Sequence, residues 1–107
     1  MDDIETATNL YRVGSEAAKN AAIHGGANNI KIVLNVDDQF LYMTIEDDGM
    51  GLEVSEDTED GMGIHIMRYR IELIGGTFEI KTTPNIGETG TTVTCRIPLK
   101  EVEGYIE

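Results

Sequence analysis

Basic residues are scarce in this chain, cysteine is nearly absent, and no apolar run is long. Its 107 residues carry 8 Lys and Arg against 20 Asp and Glu, a formal net charge of −12. A field of that sign repels phosphate backbones, so no nucleic-acid partner is expected. The apolar runs are a few residues each, short of the roughly 20 that span a bilayer, so no membrane contact is expected. No basic-then-apolar leader opens the chain, which gives no indication of secretion. The single Cys95 forbids an intrachain disulfide and excludes a site built from several cysteines. What remains is 40% hydrophobic and 26% charged, an ordinary globular composition, long enough for one core. One acidic, cytoplasmic domain spanning 1–107 is expected.

Between about Glu5 and His24, Leu10, Val13, Ala17 and Ala21 recur at helical spacing, and Gly25-Gly26 stops the run. From Ile30 the period becomes two: Ile30, Ile32, Leu34 and Val36 form one set, and after Asp37-Asp38-Gln39 comes Leu41, Met43 and Ile45. These predict adjacent strands in a hairpin. Leu52 to Asp60 is acidic and without pattern. After Gly61-Met62-Gly63 a second helix is predicted, with Ile64, Met67, Ile71 and Ile74 on one stripe and Gly75-Gly76 at its end. Thr77–Thr83 and Thr91–Leu99 read as two closing strands. Paired strands separated by helices imply a two-layer α/β sandwich with a mixed or antiparallel sheet and helices on one face.

Three places break their local pattern. Asp47 shares the parity of Leu41, Met43 and Ile45, so it points toward the core side unless the strand ends before it. An ionised carboxylate there is costly unless donors satisfy it. Asp47-Asp48-Gly49-Met50-Gly51 would let backbone approach a ligand closely, the carboxylate accepting from an amino group such as that of adenine. Glu16 and Asn20 are four apart, on one flank of the first helix. They read either as ordinary polar flank residues or as an oxygen ligand for a hard cation, with Glu16 acting on a coordinated water or as a base. Gly61 and Gly63 before a helix read as a tight turn or as a phosphate cradle. Elsewhere, His24 reads as a helix-end cap, His65 as exposed and Cys95 as a small core residue. Arg68 and Arg70 fit exposed helix positions as well as phosphate contacts.

Together these pieces resemble a known family. Leu10-Tyr11-Arg12-Val13-Gly14-Ser15-Glu16-Ala17-Ala18-Lys19-Asn20-Ala21-Ala22-Ile23-His24 looks like the N box of sensor histidine kinases. Asp47-x-Gly49-x-Gly51 and Gly61-Met62-Gly63 resemble their two glycine boxes, and Gly90-Thr91-Thr92-Val93 their closing strand. The stretch from Gly63 through Met67-Arg68-Tyr69-Arg70 to Gly76 looks like the subfamily paired with LuxR/NarL-type response regulators. The resemblance implies the GHKL ATP-binding fold, a mixed sheet backed by helices. It implies that Asn20 holds Mg²⁺ on the ATP phosphates and that Glu16 is the acidic partner in the same box. Asp47 would accept from the adenine amino group, with Thr91 on a water beside it. Gly49, Gly51, Gly61 and Gly63 would shape the adenine and phosphate walls, and 52–60 would be the ATP lid. Phosphoryl transfer needs positioning and charge neutralisation more than covalent chemistry, which suits such parts.

The resemblance further implies a separate, helical dimerisation domain bearing the phosphoacceptor histidine, since neither His24 nor His65 occupies that motif. The chain is therefore expected to be a monomeric fragment of a longer sensor, lacking the strand that usually precedes the N box. Its acidic lid implies strongly Mg²⁺-dependent binding. A serine-phosphorylating anti-sigma kinase of the same fold and a non-catalytic nucleotide-responsive module stand as alternatives.

Overall fold

The period-two alternation from Ile30 to Asp47 folds as the hairpin that its spacing predicts. The computed structural model describes residues 3–49, 59–82 and 90–99. They form α1 (Asp3–Ile23), β1 (Ile30–Val36), β2 (Phe40–Asp47), α2 (Glu59–Leu73), β3 (Thr77–Thr82) and β4 (Thr91–Pro98). The hairpin turn is fixed by Asp37, whose Oδ1 accepts from the backbone N–H of Gln39 at 2.8 Å and of Phe40 at 2.7 Å. Those two bonds hold its carboxyl below the ordinary Asp value.

The strands lie in the order β1-β2-β4-β3. Every described pairing is antiparallel, which corrects the expectation of a mixed sheet. The crossover through α2 does make β3 run parallel to β2, but β4 inserts between them and is antiparallel to both. The parallel relation is thus present in direction and absent from the hydrogen bonding.

Register sets the core. Met43 opposes Cys95 and Ile45 opposes Val93 across β2 and β4, and Phe78 and Ile80 continue the same rows on β3. On that face sit Val13 and Ala17 of α1 and Ile64, Met67 and Ile71 of α2, with Ile74 just beyond. Both predicted helical stripes are therefore buried, and burial pushes the Cys95 thiol up to about 12. The end of α2 closes as a Schellman motif: Gly75 is left-handed at φ 78°, Gly75 N–H donates to Glu72 O at 3.0 Å, and Gly76 N–H donates to Ile71 O at 2.9 Å.

The edge strand behaves differently. Ile32, Leu34 and Val36 face the same side as Ile45, Met43 and Leu41, yet they stay 50%, 61% and 66% exposed. α1 does not cover them fully: an apolar groove of about 510 Å³ separates Leu10, Tyr11 and Ala18 from Ile32 and Leu34.

Ile71 is completely buried between α2 and the sheet. Ile71→Ala is expected to lower unfolding stability by about 3 kcal/mol, the cost of lost transfer plus a cavity. Urea denaturation checks it, and a loss below about 1 kcal/mol would show that the helix does not pack there.

Candidate functional site

On α1, Glu16 and Asn20 are half-buried on the flank turned toward α2. Lys19 Nζ lies 3.9 Å from Glu16 Oε1, a partly exposed pair that contributes little. The notable neighbour is Gly63. A methyl group built on it would stand 2.8 Å from Glu16 Oε2 and 3.7 Å from Asn20 Nδ2. Any side chain at this position would push into the space that the two polar groups share, so glycine keeps that space open. Residues far apart in sequence, on two helices, thereby meet at one place.

Asp47 ends β2 in the core-facing row. It opposes Ile30 on β1 and Thr91 on β4. Its side chain is half-buried, while Thr91 is 4% exposed. The Asp47 carboxylate accepts the Gly49 backbone N–H at Oδ1 (2.9 Å), so the second oxygen keeps its acceptor capacity toward the outside. Two glycines make this packing possible. A Cβ on Gly49 would lie 2.7 Å from the Gly25 carbonyl oxygen, and one on Gly90 would collide with the Asp47 carbonyl oxygen. The end of α1, the end of β2 and the start of β4 are therefore in backbone contact around Asp47.

A neighbouring residue holds this junction together. Asp48 Oδ1 accepts the backbone N–H of both Asn28 and Asn29 at 2.9 Å, and Oδ2 accepts Asn29 Nδ2 at 2.8 Å. The reverse bond runs from Asp48 N–H to Asn29 O at 3.3 Å. These donors, the Asn29 side chain foremost, hold the Asp48 carboxyl below the ordinary Asp value. Sequence reading passed over Asp48, although Asn28-Asn29 before a strand and Asp-Gly after its partner are an available signal for such a clasp.

The second glycine box sits differently from expectation. Gly61 and Gly63 do not precede α2; they lie inside it, because the helix starts at Glu59. Acidic residues at a helix start are favoured by the exposed N–H groups and the macrodipole, and this offsets two interior glycines at about 1 kcal/mol each. Gly61 thus lies in the first turn, where N–H groups lack intrahelical partners, and Gly63 lies one step deeper. Gly51 and positions 52–58 of the expected lid fall outside the described residues, while 59 and 60 belong to α2. Asp47, Gly49 and Thr91 converge as expected, and so do Glu16, Asn20 and Gly63.

Among the described residues, no three His, Cys, Asp or Glu side chains converge to hold a metal ion. A hard cation beside Asn20 would therefore take most of its ligands from phosphate and water, which is how Mg²⁺ is usually held. The carboxamide of Asn20 and the open space at Gly63 fit that mode of binding.

With this geometry in hand, the likeness to known proteins is informative. The pattern of the family described as histidine kinase-, DNA gyrase B-, and HSP90-like ATPase matches residues 5–101. The chain is 32% identical over 96 residues to the sensor protein VraS of Staphylococcus aureus (strain COL), covering 90% of this chain and 27% of that protein. Among solved structures it is similar to the blue-light activated histidine kinase of Erythrobacter litoralis EL346, with a TM-score of 0.73 and 26% identity, over 94% of this chain and 33% of that one. The ATP-binding domain of PrrB from Mycobacterium tuberculosis shares the fold, with a TM-score of 0.69 and 23% identity, covering 85% of this chain and 67% of that one. The chain thus spans about a quarter of the length of the sensor proteins it resembles.

Asp48→Asn is expected to lower the melting temperature at neutral pH, since it weakens the clasp between the β1 entry and the β2 exit. Because the folded-state value is depressed, the wild-type advantage is complete above the ordinary value of 3.8 and lost as pH falls through the folded value. Thermal melts of both proteins at pH 7 and well below that value check this. A gap that stays constant in acid would contradict it.

Proposed function

Since the chain belongs to the histidine kinase-, DNA gyrase B- and HSP90-like ATPase family, we propose that it is the ATP-binding catalytic domain of a two-component sensor histidine kinase. It transfers the γ-phosphoryl group of ATP to a histidine on a separate dimerisation domain. The observation that carries this reading is the meeting of Gly63 with Glu16 and Asn20, which brings an acid, a neutral oxygen ligand and a helix start to one place.

In this reading Asp47 accepts a hydrogen bond from the adenine amino group, and Thr91, its cross-strand neighbour, holds a water beside it. Gly49 and Gly90 keep backbone close enough for a flat base to rest near Asp47; Gly51 belongs to the same wall. Gly61 and Gly63 leave the first turn of α2 bare of side chains, so its free N–H groups face phosphate oxygens. Asn20 would hold Mg²⁺, which when bound neutralises charge on the phosphates. Glu16 receives the proton released by the attacking imidazole, a role that needs a carboxylate within reach of the acceptor.

Residues 1–107 form one catalytic domain of a longer sensor, and the likeness to VraS over about a quarter of that protein's length supports this. The partners are the histidine-bearing dimerisation domain and, through it, a response regulator of LuxR/NarL type, read from the sequence of α2. The domain acts in the cytoplasm, alone as a monomer. No helix among the described residues is long and apolar enough to cross a membrane.

Calorimetric titration with ATP, with and without Mg²⁺, checks the assignment. Asp47→Asn is expected to weaken binding roughly tenfold to a hundredfold, the range for a lost charge-assisted hydrogen bond. Asn20→Ala should remove most of the gain that Mg²⁺ confers. A folded protein without saturable binding at millimolar ATP would sink the proposal.

A further inference from the structure

Cations are rare in this chain, and their placement is uneven. Of its 8 Lys and Arg, Arg12, Lys19 and Arg70 line one groove of about 690 Å³ between α1 and α2. Glu16 is the single acid on that lining, so the groove is locally cationic on a molecule of net charge −12. Its α1 wall runs from Ala7 to Lys19 along one continuous helix face, a length of about 18 Å at 1.5 Å per residue. Tyr11 and Ile66 supply apolar surface and are 74% and 47% exposed. A trough of that length between two helices fits a third helix better than a small molecule.

We infer that this groove docks an acidic amphipathic helix, and that the helix belongs to the histidine-bearing partner. The inference rests on the reading of the chain as a phosphoryl donor. Charge complementarity identifies the occupant. Arg12 and Lys19 are seven residues apart, about two helical turns, so glutamates or aspartates a heptad apart on the incoming helix would face both. The overall negative field disfavours any acidic partner elsewhere on the surface, so complementary charge here confines docking to this face. Glu16 belongs both to this groove and to the space opposite Gly63. A helix seated in the groove is thereby brought alongside the group that takes the acceptor's proton.

Arg12 is the residue to change. It is exposed, whereas Arg70 also supports the fold by donating to Asn9 Oδ1 at 3.3 Å. The test uses two peptides of about 14 residues, held helical by a side-chain lactam because short free helices are marginal in water. They share a leucine stripe; one carries glutamates a heptad apart and the other lysines at the same places. Amide chemical shifts of the whole chain report where each binds, and ATP affinity is measured in the same samples.

The acidic helix is expected to shift residues 7–19 and 66–70. Arg12→Glu should weaken it at least tenfold while leaving ATP affinity unchanged. The lysine helix binding this face as well as the acidic one would overturn the inference, as would shifts confined to the apolar groove beside β1. A sample that binds ATP but shows no shift between α1 and α2 with millimolar acidic helix also overturns it. One that takes the acidic helix and binds no ATP instead removes the phosphoryl-donor reading and leaves the docking surface standing.

Discussion

The pairing of β2 with β4 is the constraint on which the rest depends. Its register puts Leu41, Met43 and Ile45 opposite Ile97, Cys95 and Val93, and it is these residues that the two helices cover. The same register carries one step further and places Asp47 opposite Thr91. Side-chain period in a strand is two, so a slip of a single residue would expose the core row and turn Asp47 outward together. Hydrophobic burial of four or five side chains therefore fixes the position of a carboxylate that burial alone would reject. The core and the candidate site are one decision.

Close backbone approach is the second constraint, and it explains where the glycines are needed. Gly49 lies against the Gly25 carbonyl and Gly90 against that of Asp47, while Gly63 faces Glu16. Each contact joins elements distant in sequence, and side chains at these points would separate the elements that carry the polar groups. Asp48 adds a polar fastening at the same seam through Asn28 and Asn29. The fold thus converges on one end of the sheet, where β2 ends, β4 begins and α1 has just stopped.

Much of this is legible in the sequence, for physical reasons that also mark the limits. The stripe Val13, Ala17, Ala21 and the stripe Ile64, Met67, Ile71, Ile74 are buried as helical spacing requires, because a long periodic pattern has few alternative solutions. The parity of Asp47 was equally readable. The start of α2 was not: an acidic segment with two glycines reads as loop by propensity, yet acids suit a helix N-terminus, and the helix begins at Glu59. Strand order was hidden too, since nothing local says that β4 inserts between β2 and β3. The exposure of Ile32, Leu34 and Val36 has the same origin. Alternation fixes which face they take, but the reach of α1 over that face is a tertiary fact.

Net charge bears on how such a chain handles a triphosphate. A molecule at −12 gains nothing from its long-range field when an anion approaches, and salt screens that field beyond about 10 Å in any case. Recognition must then be local and divided by chemistry. At the base, the group to be recognised is a neutral amino donor, and a carboxylate such as Asp47 suits it without meeting phosphate. At the phosphates, another carboxylate as the metal ligand would add like charge. A neutral carboxamide such as Asn20 coordinates through oxygen and adds none. The acid that does stand near, Glu16, has Lys19 at 3.9 Å, and Arg12 and Arg70 share the adjoining groove. The scarcity of cations in the whole chain thus sharpens the meaning of the few that gather beside Glu16.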